Sequence, residues 1–589
     1  MSVTLNQLIR NRIYPHLEYL FQKVLREKDA VIIDGVSAFH SADYFVPGKV
    51  VNAFSYLIID TAANDPDFEQ KVAGFREIID FTAHYPMKTW GIYYYLTALV
   101  RLQRHGLLDE VVRPDKLVIL KRVLDWRTIV RADDLTLINL PTNYYGCALG
   151  VARLRMLLGW EAESSAQRLY DKVLAHIDEY SGEYGFADET DGEGRFDRYS
   201  VLLPAEICQR LIDTGMAVPE RLQQLLRKSC DIHLMLANEA GHGFNYGRTI
   251  GAYGDTSTLE VLSIAAYLGV LTPEEQELAY AFCTRITAKF TEFWIDSEMK
   301  SVNMWEKGRK PDPYMGKHRI LGENLSLSYQ HIHTCDIWNR AGFADKVPMA
   351  DFETALAKLP SHYLVRFAAG TYERALAIVR DGKQVICLPL VNGGASQYRY
   401  TPYYPIPHAV GMLAGSPHES NPQLLPRFTF SDGSQLMPLA YMKDIEARSD
   451  GPEYRVTYRQ EQLCRLTSGG PEPDIRVQVA TEYVFRPGVI IRNDCYTPTE
   501  ALDLAELVME FATFSTGPVV TGVNKVGFQN GAVEAITVSG FTECAVEAVN
   551  EADERYQTPH GVLRYRAIWR SGPQRFDQPL TIRWEMRHH

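Results

Sequence analysis

Within the first 345 positions, apolar residues recur at helical spacing in one segment after another, and this pattern constrains the fold most. Examples are DFEQKVAGFREIIDFTAHY (67–85), WGIYYYLTALVRLQRHG (90–106), NYYGCALGVARLRMLLGW (143–160) and RYSVLLPAEICQRLIDTG (198–215). RLQQLLRKSCDIHLMLANE (221–239), TSTLEVLSIAAYLG (256–269) and PEEQELAYAFCTRITAKFTEFW (273–294) continue it. Several place apolar residues at i, i+3, i+4 and i+7, and Gly106, Gly159, Gly215 and Gly269 each close a periodic stretch. About ten to twelve helices in spaced pairs suit a closed ring of helical hairpins. A helical solenoid has the same local look, but no fixed repeat is present.

The pattern changes near Leu359–Pro360. ERALAIVR, KQVICLPLV, EYRVTYRQ, IRVQVATEYVF, GVIIRNDCY and VLRYRAIWR are short runs between turn residues, many alternating polar with apolar. That is the signature of antiparallel strands with one buried face. The expected fold class is therefore α+β multidomain: an N-terminal (α/α) helical toroid followed by a C-terminal antiparallel β-sandwich. The expected division is a catalytic toroid over 1–345, a linker over 346–360 and a sandwich over 361–589.

A chain of 589 residues exceeds a single core, and 46% hydrophobic with 23% charged residues is ordinary for a globular protein. The 33 tyrosines and 8 tryptophans suit sugar sites, whose apolar faces stack on rings, or simply a large core. A net charge of −12 and a pI near 5.8 disfavour nucleic acid and anionic membranes as partners. The nine cysteines are odd in number and form no C-x-x-C pair, which fits reduced thiols rather than disulfides or zinc. The N-terminal residues show no secretory signal and no apolar run reaches ~18 residues, so the expectation is a cytoplasmic protein.

The chemistry concentrates in GHGFNYGRTIGAYGDTSTLEVLS (241–263), with five glycines in its first fourteen residues. His242, Asn245, Tyr246, Arg248, Tyr253 and Asp255 crowd together immediately before an apolar helix. Asp255 or Thr256 is the expected N-cap. Capping alone does not explain the Tyr, His and Arg cluster.

YGRTIGAYGDTSTLEVLS resembles the His-then-Tyr segment of the hyaluronate, chondroitin AC and xanthan lyases, in which a Gly-x-Tyr-Gly turn carries the catalytic tyrosine. Here that turn is Gly251-Ala252-Tyr253-Gly254. Arg309 in MWEKGRK falls where that family places an active-site arginine, and Asn143-Tyr144-Tyr145 looks like its Asn with paired aromatics. The family's His position holds Asn245, with His242 three residues earlier. The resemblance, which extends to alginate- and heparin-lyase relatives, implies a toroid plus an antiparallel β architecture. It also implies cleavage of uronic-acid-containing glycans by β-elimination, with Asn143, His242, Tyr246, Tyr253 and Arg309 as the catalytic candidates. No cofactor or metal is called for.

Elimination removes the proton beside a carboxylate, which needs neutralisation of that carboxylate and stabilisation of the enolate-like intermediate. Asn143 with Arg or His assistance suits that role. Tyr253 is a base, an acid or both, provided a cation such as Arg248 or Arg309 lowers its pKa. His242 competes as base. Arg195, Arg198, Tyr199, Asn245, Arg248, His331, Tyr404 and His408 are the candidate substrate-binding residues, Arg195 and Arg198 as bidentate carboxylate clamps.

A rival reading is hydrolysis. FADETDGEGRFDRYS (186–200) presents Asp188, Glu189, Asp191, Glu193 and Asp197, and Asp255 lies further on. Asp191, Asp197 and Asp255 are the candidate acid and base of a glucuronidase-like enzyme. The plain alternative for this loop is a solvated turn; a calcium loop lacks the full ligand pattern. In HIHTCDIW (331–338), His331 and Cys335 lie four apart without further metal ligands. The aromatic loop YRYTPYYPIPHAVGM (398–412) either leans over the ring or packs between domains. A third reading is a non-catalytic glycan-binding protein on the same scaffold. In every case the partner is an acidic oligo- or polysaccharide.

Overall fold

A computed structural model describes residues 3–61, 65–190, 192, 194–312, 315–392, 403–413, 423–468 and 470–589. Among the described residues, twelve longer helices alternate outside and inside a ring. The outer helices are α1 (Tyr14–Glu27), α3 (Phe68–Thr82), α5 (Pro114–Val123), α7 (Glu163–Tyr180), α9 (Glu220–Met235) and α11 (Pro273–Lys289). The inner ones are α2 (Val46–Asp60), α4 (Thr89–Arg104), α6 (Tyr144–Leu157), α8 (Arg198–Asp213), α10 (Ala252–Tyr267) and α12 (Ile320–Trp338). Each inner helix packs against the next, and α12 closes back onto α2.

The two sets differ as their sequences require. In α1 the buried residues Leu17, Leu20, Phe21 and Val24 form one stripe, with a polar face left to water. In α10 every residue from Ala252 to Ala266 is buried, so its small and apolar side chains face neighbours on all sides. The helix starts earlier than the expected caps Asp255 and Thr256. Gly251, at φ +78°, is the N-cap residue. Asp255 lies in the first turn instead.

The strands follow a short helix, Phe352–Leu356. A three-stranded sheet comes first: β1 (His362–Ala368), β2 (Arg374–Asp381) and β3 (Gln384–Leu390). Two eight-stranded antiparallel sheets then form the sandwich. One runs from Lys443–Asp450 through the central Val489–Pro498 and Leu580–His588 to Thr516–Thr521; the other centres on Leu502–Thr513. VQVATEYVFR (477–486) buries alternate residues over its first half, as the period of two requires. Trp569, Trp584, Tyr483 and Phe511 fill the space between sheets. Buried Arg492 pairs with Asp494 at 2.8 Å inside this core.

A separate core joins the three-stranded sheet to the ring. Phe186, Phe196, Phe244 and Tyr246 pack there with Phe367, Leu376 and Tyr403. Phe196 and Phe367 stack 5.0 Å apart and nearly parallel.

Candidate active site at the N-terminal mouth of the ring

All six inner helices point their N-terminal ends at one cleft of about 290 Å³. Lys49 comes from α2, Trp90 and Tyr94 from α4, and Asn143 with Tyr144 from the start of α6. Arg198, Tyr199 and Glu206 come from α8, Thr249 and Tyr253 from the start of α10, and Arg319 from the start of α12. Six converging N-termini carry partial positive charge, so the mouth favours an anion before any side chain is counted.

Tyr253 is held by two close backbone approaches. A Cβ on Gly254 would lie 2.0 Å from the Phe244 carbonyl oxygen, while the Phe244 N–H donates to the Gly254 carbonyl at 3.0 Å. Only glycine fits there. The Tyr253 hydroxyl donates to Glu323 Oε2. Glu323 Oε1 in turn lies 3.0 Å from Arg319 Nε and 3.4 Å from Lys49 Nζ. Burial alone would raise the Glu323 carboxyl, but Arg319 and Lys49 outweigh it and hold the group below the usual range. Burial, then the Glu323 charge, pushes the Tyr253 phenol well above its ordinary value, so its proton stays on oxygen at rest.

Arg198 is 4% exposed. Its Nε donates to the Tyr253 carbonyl at 2.7 Å, and its guanidinium lies 4.9 Å from the Tyr199 ring centre. It makes no ion pair among the described residues. Arg248 also lies 4.3 Å from the Tyr199 ring centre and is tied to Glu189 and, at 3.1 Å, to Asp197. Asn143 sits at the N-cap of α6 without capping it, and its buried Oδ1 has no hydrogen-bond partner. Trp90 forms an aromatic wall with Tyr94 and Tyr144, at ring separations of 6.2 and 5.8 Å.

Of the candidates read from the sequence, Asn143, Arg198, Tyr199, Arg248 and Tyr253 thus meet in one cleft. The others lie outside its lining. His242 is half-buried against His560, ring to ring at 5.5 Å, and desolvation with nearby Lys289 drives its pKa well below normal. Tyr246 belongs to the core between ring and sheet, its hydroxyl donating to the Phe196 carbonyl at 2.8 Å. Arg309 donates to the carbonyls of Phe293 and Asn303 at 2.9 and 3.0 Å and covers the Phe293 ring. Asn245 faces Cys387. His331 is fully buried, bonded to Thr287 at 2.9 Å and stacked on Phe290. Tyr404 and His408 are buried in the strand region, where the His408 backbone pairs with Cys387. Arg195 lies 3.8 Å from Glu189.

The acidic loop is not a solvated turn. Asp188, Glu189 and Asp197 are all buried. Asp188 accepts from the Thr190 and Gly194 backbone, and Glu189 is paired with Arg248. Asp197 caps α8 through the Tyr199 N–H at 2.9 Å and accepts from the Tyr403 hydroxyl at 2.5 Å. Asp255 binds Lys289 at 2.7 Å, the Trp294 indole at 2.8 Å and the Gly243 N–H. Asp191 lies outside the described residues. Among the described residues, no three His, Cys, Asp or Glu side chains gather to hold a metal, and no helix is long and apolar enough to cross a membrane.

The residues that sequence reading passed over are Glu323, Lys49, Arg319, Trp90 and Tyr94. One signal was available: Glu323 follows Arg319 by four residues at the head of an otherwise apolar helix.

Neither family models nor curated proteins give a match to this sequence. Among solved structures, a glycosyl hydrolase family 88 protein from Bacteroides vulgatus is 10% identical, covering 56% of this chain and all (100%) of its own, at a TM-score of 0.34. A chondroitinase AC lyase is 10% identical, covering 99% of this chain and 83% of its own, at 0.48. Heparinase III is 9% identical over 97% of this chain and 85% of its own, at 0.53. At such identities the likeness is one of fold: the helical toroid and antiparallel β-sandwich of this chain are arranged as in heparinase III.

Proposed function

We propose that this chain is a polysaccharide lyase that cleaves uronic-acid-containing oligo- or polysaccharides by β-elimination. The observation that carries the reading is Arg198: a buried cation with no ion pair among the described residues, 5.6 Å from the Tyr253 ring, at the mouth where six helix N-termini converge. Burying a charge unpaired is costly, so such a site is built for an anionic ligand. A uronate carboxylate against Arg198 completes the pair, and the Asn143 amide is placed to hold the charge that builds on it.

Tyr253 then moves the proton. Passing its own proton to Glu323 leaves a phenolate beside Arg319, which takes the proton at the carbon next to the carboxylate. The same hydroxyl returns that proton to the departing glycosidic oxygen as the C–O bond breaks and the double bond forms. Glu323 then hands the first proton back, and no water is consumed. The aromatic wall of Trp90, Tyr94 and Tyr144 suits the apolar face of a sugar ring.

The test is incubation with uronic-acid oligosaccharides, following ultraviolet absorbance and product masses. A new conjugated double bond without gain of water is the expected result. Products with water added would sink the lyase assignment and favour hydrolysis, for which Glu206 is the carboxylate lining this cleft.

A further inference from the structure

Below the cleft lies a smaller chamber of about 40 Å³, which shares Trp90, Tyr94, Glu206 and Gln330 with it. We propose that this chamber is a specificity subsite for a protonated amine, so that the preferred substrate carries an unsubstituted amino sugar next to its uronate. The inference rests on the cleft binding a uronate, as proposed above.

Three observations point to a cationic hydrogen-bond donor. First, Glu260 lines the chamber at 6% exposure, and its carboxyl makes no hydrogen bond or ion pair among the described residues. Second, the neighbouring ions do not supply a partner. Arg210 is paired with Glu206 at 3.4 Å and otherwise rests against the rings of Trp90 and Tyr93, at 5.1 and 5.4 Å. Arg198 and Arg210 both act on the Glu260 charge, but neither comes within ion-pair distance of its carboxyl among the described residues. Third, the Gln330 Oε1 atom is buried without a donor, so a second acceptor faces the same space.

Burial, reinforced by the Glu206 charge and only partly offset by Arg198 and Arg210, pushes the Glu260 carboxyl up to about 8. An entering ammonium donates to Glu260 and to Gln330, and its charge favours the ionised carboxylate. The rings of Tyr94 and Tyr329, 5.4 Å apart, add a wall that favours a cation. The space holds a group of about two or three waters' size. A sulfate fits this chamber neither in size nor in charge, since two carboxyl groups would repel it.

The test is calorimetric binding to the full-length Tyr253→Phe chain, whose turnover is expected to be slow enough for binding to be read. Four tetrasaccharides are compared: uronate alone, and uronate alternating with an amino sugar that is free, N-acetylated or N-sulfated. The free amine is expected to bind at least about tenfold more tightly than the acetylated form, with the sulfated form weakest. Glu260→Gln in the same background is expected to erase that ranking. Equal affinity for free and acetylated forms overturns the proposal on the unaltered chamber alone, so it does not depend on the variant folding. A ranking that survives Glu260→Gln overturns it too. Binding of the uronate tetrasaccharide without amine preference leaves the cleft reading standing and removes the subsite. A Glu260-dependent amine preference without any elimination by the native chain does the reverse. Failure of all four to bind removes both.

Discussion

Tyr253, which lines the cleft, and the fully buried Glu323 are joined by a hydrogen bond in which the phenol donates and the carboxylate accepts, although seventy residues separate them in sequence. This pairing gives the phenol both a place to send its proton and a reason to keep it at rest. Lys49 and Arg319 hold the carboxylate ionised, so that at rest it accepts the phenol's hydrogen bond while the proton stays on Tyr253.

Tyr253→Phe removes the proton carrier and keeps the ring. The expected loss in elimination rate is about 10²- to 10⁴-fold, the usual contribution of a positioned acid–base group. Glu323 retains Lys49 and Arg319 in this variant, so the melting temperature is expected to change little. Activity within a few-fold of the parent would rule Tyr253 out as the proton carrier.

Glu323→Gln removes the anion that pairs with two buried or half-buried cations, Lys49 and Arg319. Breaking such a buried cluster costs about 3–5 kcal/mol. The pH dependence has a definite sign. The folded pKa of Glu323 lies below the ordinary 4.5, so its ionised form stabilises the fold above that pH. The contribution fades as pH falls through the folded value. Thermal unfolding of parent and variant should therefore differ most near neutrality and converge in acid. A gap that stays constant from pH 7 to pH 3 would contradict the assignment.

The ring itself was legible because its helices obey one period. The segments 67–85, 198–215 and 221–239 correspond to Phe68–Thr82, Arg198–Asp213 and Glu220–Met235. The alternation after Leu359 likewise marks the strands. The site was legible only where chemistry lay in a short stretch, as at Arg248 and Tyr253. Lys49, Trp90, Arg319 and Glu323 sit at the cap or in the first turns of helices on different segments of the chain, and only ring closure brings those N-termini together. His331 shows the converse limit. Its spacing on α12 is helical, but periodicity does not say which face looks into the ring, and the imidazole turns outward to Thr287 of α11. The acidic loop misled in a third way, since its described charges face half-buried arginines rather than water.

Asp494→Ala separates stability from the site. Arg492 is fully buried and holds Asp494 at 2.8 Å inside the sandwich, with the Tyr483 hydroxyl accepting at 2.9 Å. Removing the carboxylate strands a buried guanidinium, at an expected cost of about 3–5 kcal/mol in denaturant unfolding. Replacing both partners with apolar residues of similar volume should recover most of that loss. A single variant as stable as the parent would mean that the pair is open to water in solution.

His242→Ala distinguishes the cleft from its sequence neighbourhood. The imidazole has the ordinary pKa best suited to a base at neutral pH, and it lies eleven residues before Tyr253. In the fold it faces His560, Lys289 is close, and burial keeps it neutral. It does not line the cleft that holds Tyr253, Arg198 and Asn143. His242→Ala is therefore expected to keep elimination within about threefold of the parent, because a general base must reach its proton directly or through one water. Asn143→Ala, at a side chain that caps nothing, is expected to lose about 10²- to 10³-fold in turnover with little change in melting temperature. Measured together, the two variants locate the chemistry. Loss at Asn143 with retention at His242 places it in the cleft. The opposite pattern would move it toward the His242–His560 contact and overturn the site described above.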